Sequence, residues 1–143
     1  MRSCKIKPIK ASKDYYVNST DEYPILFVIA SLTKGISIFK GIGGLANKES
    51  NRIIEMQKVL KQIGIKTTAT KDKIKIYGNE KISSKKRIYV SNLGDHRICM
   101  STFILAILTG TQAKIRNFET VFTSSPSFLK IMKNLGAKFE IKK

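Results

Sequence analysis

Cysteine, histidine and arginine are scarce in this chain, and its apolar runs are short. Two cysteines, Cys4 and Cys99, stand far apart with neither the spacing of a metal site nor the number for a disulfide framework. A reducing cytoplasm is the setting they suit. The one histidine, His96, is by itself a weak sign of catalysis. The longest apolar stretches, Pro24 to Leu32 and Phe103 to Leu108, are far below the length of a membrane span. The opening "MRSCKIKPIK" has no apolar centre and no small-residue cleavage site, so it does not read as a secretory signal. Acidic residues are few, 10 against 27 basic ones, for a net charge of +17. Of the basic residues, 22 are lysine and 5 arginine, and the lysines are spread through every segment. Fork-shaped recognition of phosphate or guanine favours arginine, whereas lysine is a flexible point charge. Most of the charge therefore reads as solvated surface, which argues against nucleic acid and leaves small anionic substrates as a good match.

Hydrophobic residues make up 42% of the 143, enough for one domain with a real core. Strand and helix patterns alternate along it, an α/β order without a compositional break. Cys4 to Ile9 reads as a short strand, and "KASKDYYVNST" as a polar stretch. Asp21 to Leu32 is an apolar helix with Thr20 or Asp21 as its cap and Pro24 in its first turn. "ISIFKG" is a strand, and "GIGG" turns into a helix whose stripe is Ile53, Met56, Leu60 and Ile63. "IKTTATK", "KIKIYG" and "RIYV" follow as strands. Asp95 to Leu108 is a second apolar helix, followed by the strand "AKIRNF", a polar turn "ETVFTSS", the helix "PSFLKIMKNLG" and a final strand "AKFEIKK". The series looks duplicated. "LKQIGIK" at Leu60 to Lys66 and "MKNLGAK" at Met132 to Lys138 end corresponding helices, with a period of about 72 to 74 residues.

Helix starts carry the chemistry. Lys48, Glu49 and Arg52 stand where one helix begins, and Asp95, His96 and Arg97 where another does. Unpaired N–H groups at a helix start already repel cations, so a turn with two cations is suited to receive an anion. With Asp21 at a third helix start, carboxylates that can move protons stand beside guanidinium forks that can hold phosphate or carboxylate. These starts are expected to converge on one open concave surface.

Four blocks, "TDEYPILFVIASLTKG", "NKESNRIIEMQKVLKQIG", "DHRICMSTFILAILTG" and "TSSPSFLKIMKNLGAKFEI", occur in this order. In them the chain resembles the C-terminal part of the 5-enolpyruvylshikimate-3-phosphate synthase family, the 3-phosphoshikimate 1-carboxyvinyltransferases. The resemblance implies an α/β (α+β) fold of repeated βαβαββ units of the enolpyruvyl transferase type, one whole unit plus part of another. It implies transfer of the enolpyruvyl group of phosphoenolpyruvate to the 5-hydroxyl of shikimate 3-phosphate, with release of phosphate and with no metal or organic cofactor. Asp21 would accept the proton of the attacking hydroxyl, and Glu49 would donate one to the enol carbon. Lys48 would contact shikimate 3-phosphate; Arg52 and Arg97 would hold phosphoenolpyruvate, with His96 close by.

Some positions depart from the family pattern. Ala46 stands where an arginine is usual, Asn51 replaces a common aspartate, and Thr123 takes the place of a late lysine and is given no role. Family members are also much longer and have two similar domains. Residues 1–143 are therefore expected to be a partial domain of the C-terminal side, without the N-terminal domain. A separately encoded N-terminal domain is the expected partner, and the isolated chain is expected to be inactive. Two other readings stand beside this one: a non-catalytic remnant of the enzyme, and a basic nucleic-acid-binding domain.

Overall fold

The computed structural model describes residues 5–82, 85–91 and 94–142. Its first half is a four-stranded sheet in the order β1-β2-β4-β3. The strands are β1 (Lys10–Ala11), β2 (Gly35–Lys40), β3 (Lys66–Ala69) and β4 (Lys73–Gly78). β1 runs parallel to β2, while β4 is antiparallel to both β2 and β3. Between β1 and β2 come the helices α1 (Lys13–Ser19) and α2 (Tyr23–Ser31); between β2 and β3 comes α3 (Arg52–Gln62). This is one complete βαβαββ unit. The second half starts the same pattern with β5 (Arg87–Val90), α4 (His96–Thr109) and β6 (Gln112–Ile115), β5 and β6 being parallel. It continues into two short helices, α5 (Glu119–Ser124) and α6 (Phe128–Asn134).

Period-two alternation explains the centre of the first sheet. In "KIKIYG", Ile74 and Ile76 point inward and are fully buried, while Lys73 and Lys75, which alternate with them, stay partly exposed. The α3 stripe behaves likewise: Ile53, Met56, Leu60 and Ile63 are all buried, joined by Val59. Tyr23 and Phe27 from α2 meet Phe39 from β2 edge to face, with ring centroids 5.0 to 5.9 Å apart. Each such side chain contributes about 1.5–3 kcal/mol by leaving water. The core continues through Ile88, Val90, Ile98 and Leu105, so the two units share one interior.

Several expectations need correcting. Residues 5–9 are not a strand, pairing being confined to Lys10–Ala11; Cys4 lies outside the described residues. The polar stretch after it holds α1, whose tyrosines lay a ring against Tyr23. Residues Thr20–Glu22 form a 3-10 turn, and α2 starts only at Tyr23, with Glu22 as its cap and no side-chain capping bond. "ETVFTSS" is largely helical, held by burial of Val121. Residues 137–142 are not a strand: β6 pairs only with β5, and no strand lies beside that segment among the described residues.

Candidate active site

The start of α3 decides where the site's charges go. Asn51 caps the helix, its side-chain oxygen accepting from the Ile54 amide at 3.2 Å. Lys48 and Glu49 therefore precede the helix instead of sitting in its first turn, and both are exposed at the end of a 3-10 segment, Gly43–Asn47. Arg52 is the first helical residue and is turned inward, 1% exposed. α4 starts by a matching device. Asp95 caps it, accepting from the amides of Arg97 at 3.0 Å and Ile98 at 3.4 Å.

These two helix starts meet through their side chains. Arg52 Nε donates to Asp95 Oδ2 at 3.0 Å, and Arg52 Nη2 donates to Asp95 Oδ1 at 3.2 Å. Asp95 is wholly buried, and Ser50 Oγ donates a further bond to its Oδ2 at 2.7 Å. The outer edge of the guanidinium reaches two half-exposed carboxylates: Nη1 donates to Asp21 at 3.3 Å, and Nη2 to Glu49. Burial by itself would lower the Arg52 pKa, but hydrogen bonds to Asp95 and the charges of Asp95 and Glu49 raise it instead. Burial likewise pushes Asp95 up, and it is outweighed by hydrogen bonds from Arg52 and Ser50, so the carboxyl sits below its ordinary value. Both groups are held charged.

Asp21, Glu49 and Arg52 are thus in direct contact. Arg97 lies beside them: its backbone amide is bound to Asp95, and its Nη1 stands 4.0 Å from Glu22. Lys48, exposed, and His96, half-buried, flank this cluster through their chain neighbours without joining the Arg52 network. Cys99 takes no part as a nucleophile. It is buried in the core, and burial pushes its thiol up to about 11.

The family model for EPSP synthase (3-phosphoshikimate 1-carboxyvinyltransferase) matches residues 6–132. The chain belongs to the EPSP synthase family. A 3-phosphoshikimate 1-carboxyvinyltransferase from Paramagnetospirillum magneticum is 30% identical over 138 residues, covering 96% of this chain and 31% of that protein. An EPSP synthase structure from Acinetobacter baumannii superposes with a TM-score of 0.82 at 32% identity, over 97% of this chain and 32% of that one. The enolpyruvyl transferase NikO from Streptomyces tendae shares the fold, with a TM-score of 0.68 at 14% identity over 96% of this chain. The chain spans about a third of the length of the EPSP synthases it matches.

Sequence reasoning missed two members of the cluster. Asp95 was legible as a helix cap, but nothing local announces that both its oxygens also accept from an arginine 43 residues away. Ser50 carried no signal at all, its hydroxyl acting across 45 residues.

Proposed function

We propose that this chain supplies one wall of an EPSP synthase active site, acting in the cytoplasm on shikimate 3-phosphate and phosphoenolpyruvate. It does so as part of the C-terminal-side domain, with an N-terminal domain supplying the other wall. The observation that carries this reading is the buried guanidinium of Arg52, tied on its inner edge to Asp95 and on its outer edge to Asp21 and Glu49. In the free chain three carboxylates share that one guanidinium. An arriving carboxylate or phosphate competes for its outer N–H groups and releases Asp21 and Glu49 for proton transfer, while Asp95 keeps the fork oriented.

In this reading the 5-hydroxyl oxygen of shikimate 3-phosphate attacks C2 of phosphoenolpyruvate and gives its proton to Asp21. Glu49 delivers a proton to C3, which yields the tetrahedral adduct. Elimination then returns a proton from the C3 methyl group to Glu49 as the C2–O bond to phosphate breaks, and the proton held by Asp21 leaves with the phosphate. Arg52 and Arg97 hold the phosphoenolpyruvate charges, Lys48 holds shikimate 3-phosphate, and His96 lines the approach.

One wall is insufficient for turnover, because a half-site open to water neither fixes two substrates nor excludes solvent. Phosphate release with both substrates is therefore expected to be absent for the chain alone. It should appear on mixing with an N-terminal domain expressed separately. In the mixture, Glu49→Gln and Asp21→Asn should each lower the rate by about 10²–10⁴-fold. Turnover by the chain alone, or full rates in both variants, would overturn the assignment.

A further inference from the structure

Residues 48–51 link the 3-10 segment Gly43–Asn47 to α3 and belong to neither. Two of them, Lys48 and Glu49, are exposed and stand at the proposed site, so the backbone beneath them needs a hold. Leu45, fully buried, anchors the chain before them, and the Asn51 cap fixes the residue where α3 begins. Between these anchors, side-chain bonds tie the segment to the rest of the described chain at two points. Glu49 accepts from Arg52 Nη2, and the half-buried Ser50 donates its hydroxyl to Asp95 Oδ2 at 2.7 Å.

The second bond is more than Asp95 needs. Four other donors already reach its carboxylate: the amides of Arg97 and Ile98 at 3.0 and 3.4 Å, and Arg52 Nε and Nη2 at 3.0 and 3.2 Å. A carboxylate offers about four lone-pair sites, so those donors suffice to satisfy the buried group. Ser50 is the fifth, at the shortest distance of the five. Its consequence therefore lies on the serine's side of the bond. The hydroxyl fixes the segment that carries Lys48 and Glu49 to a group that is buried, charged and bound to the starts of both α3 and α4.

The two ties fare differently in the proposed reaction. Glu49 gives up Arg52 when an anion arrives, and must then hold still while it carries a proton to and from C3. The Ser50 bond stays, because its partner Asp95 is wholly buried and turned away from the arriving anion. We propose that Ser50 is a positioning residue for Glu49, its bond to Asp95 keeping the Lys48–Glu49 segment in place once Glu49 has left Arg52. The inference rests on the proposed catalytic site and adds to it a residue that acts through its neighbour. A general acid has to stay within hydrogen-bond reach of the atom it serves, and a displacement of about 1 Å can cost about 10²-fold in rate.

The first test is backbone amide NMR relaxation on the full chain, well below its thermal midpoint, and needs no turnover. Glu49→Ala stands in for the released state. In that variant the amides of Lys48 to Ser50 should keep order parameters near about 0.85, as in the wild type. In the double variant Glu49→Ala/Ser50→Ala they should fall towards about 0.6, with α3 and α4 unchanged. Glu49→Ala/Ser50→Thr, which keeps the hydroxyl, should return to the ordered value. The second test is phosphate release in the mixture with the N-terminal domain. Ser50→Ala should lower kcat by about 10- to 100-fold and leave the KM for phosphoenolpyruvate unchanged, and Ser50→Thr should restore kcat. Order already lost in Glu49→Ala, a double variant that stays rigid at residues 48–50, or one that loosens equally through α3 and α4 would each overturn the tether. So would an undiminished kcat in Ser50→Ala, or a loss that threonine fails to rescue. A wild-type mixture without activity, together with a double variant that loosens at residues 48–50, refutes the catalytic assignment and leaves the tether standing.

Discussion

Asp95 and Arg52 form the most consequential pair of single residues. Removing one member of a buried ion pair strands the other, so Asp95→Ala should destabilise the chain by about 3–5 kcal/mol in a denaturant titration. The pair also sets an acid limit. The carboxyl is held below its unfolded value of 3.8, so its contribution is fully present above that value and is lost as pH falls through the folded value. Wild-type stability should therefore fall below about pH 4 more steeply than that of Asp95→Asn. Tyr23 offers the opposite case. Its hydroxyl is buried without a partner among the described residues, and burial pushes its pKa up to about 12. Tyr23→Phe removes an unpaid desolvation and should leave stability unchanged or raise it by about 1 kcal/mol, read as a shift in thermal midpoint. The sequence pointed to Arg52 by its place at a helix start. It could not reveal that the guanidinium turns inward, because that depends on Asp95, far along the chain.

Elements with their own periodicity were readable, and those that depend on neighbours were not. "KIKIYG" and "RIYV" fall on β4 and β5 residue for residue, because alternation and strand ends are local properties. α1 and α5 escaped notice because their sequences are polar and short, and their helical form follows from packing on Tyr23 and around Val121. The segment 137–142 has the alternation of a strand yet forms none, since a strand needs a neighbour to bond with. Gly78 shows how tightly β4 is fitted. A Cβ there would run into the backbone carbonyl oxygens of Ala30 and Thr33 at the end of α2. Gly78→Ala should cost about 1–3 kcal/mol, and the loss of protection on hydrogen exchange should centre on β4 and the C-terminal turn of α2.

At the scale of the molecule, the described residues give the first unit a four-stranded sheet and the second a two-stranded one, with Phe128 the one phenylalanine among them buried in the second unit's own cluster. The sequence carried the duplication as an internal period, and one whole unit plus part of another was what the family resemblance implied. How α4, α5 and α6 pack was not legible, because the ring contacts of Phe103, Phe118 and Phe128 join side chains far apart in the sequence. The charged link between the units has a kinetic consequence. Arg52 and Asp95 lie 43 residues apart and can be dehydrated together only after both cores have collapsed around them. Their bonds should thus form on the native side of the folding barrier. Asp95→Asn is expected to have a φ-value near zero: refolding rates stay close to wild type, while unfolding accelerates about tenfold or more in a stopped-flow chevron. In that sense the ion pair is a lock on exit, setting how long the assembled half-site lasts once it has formed.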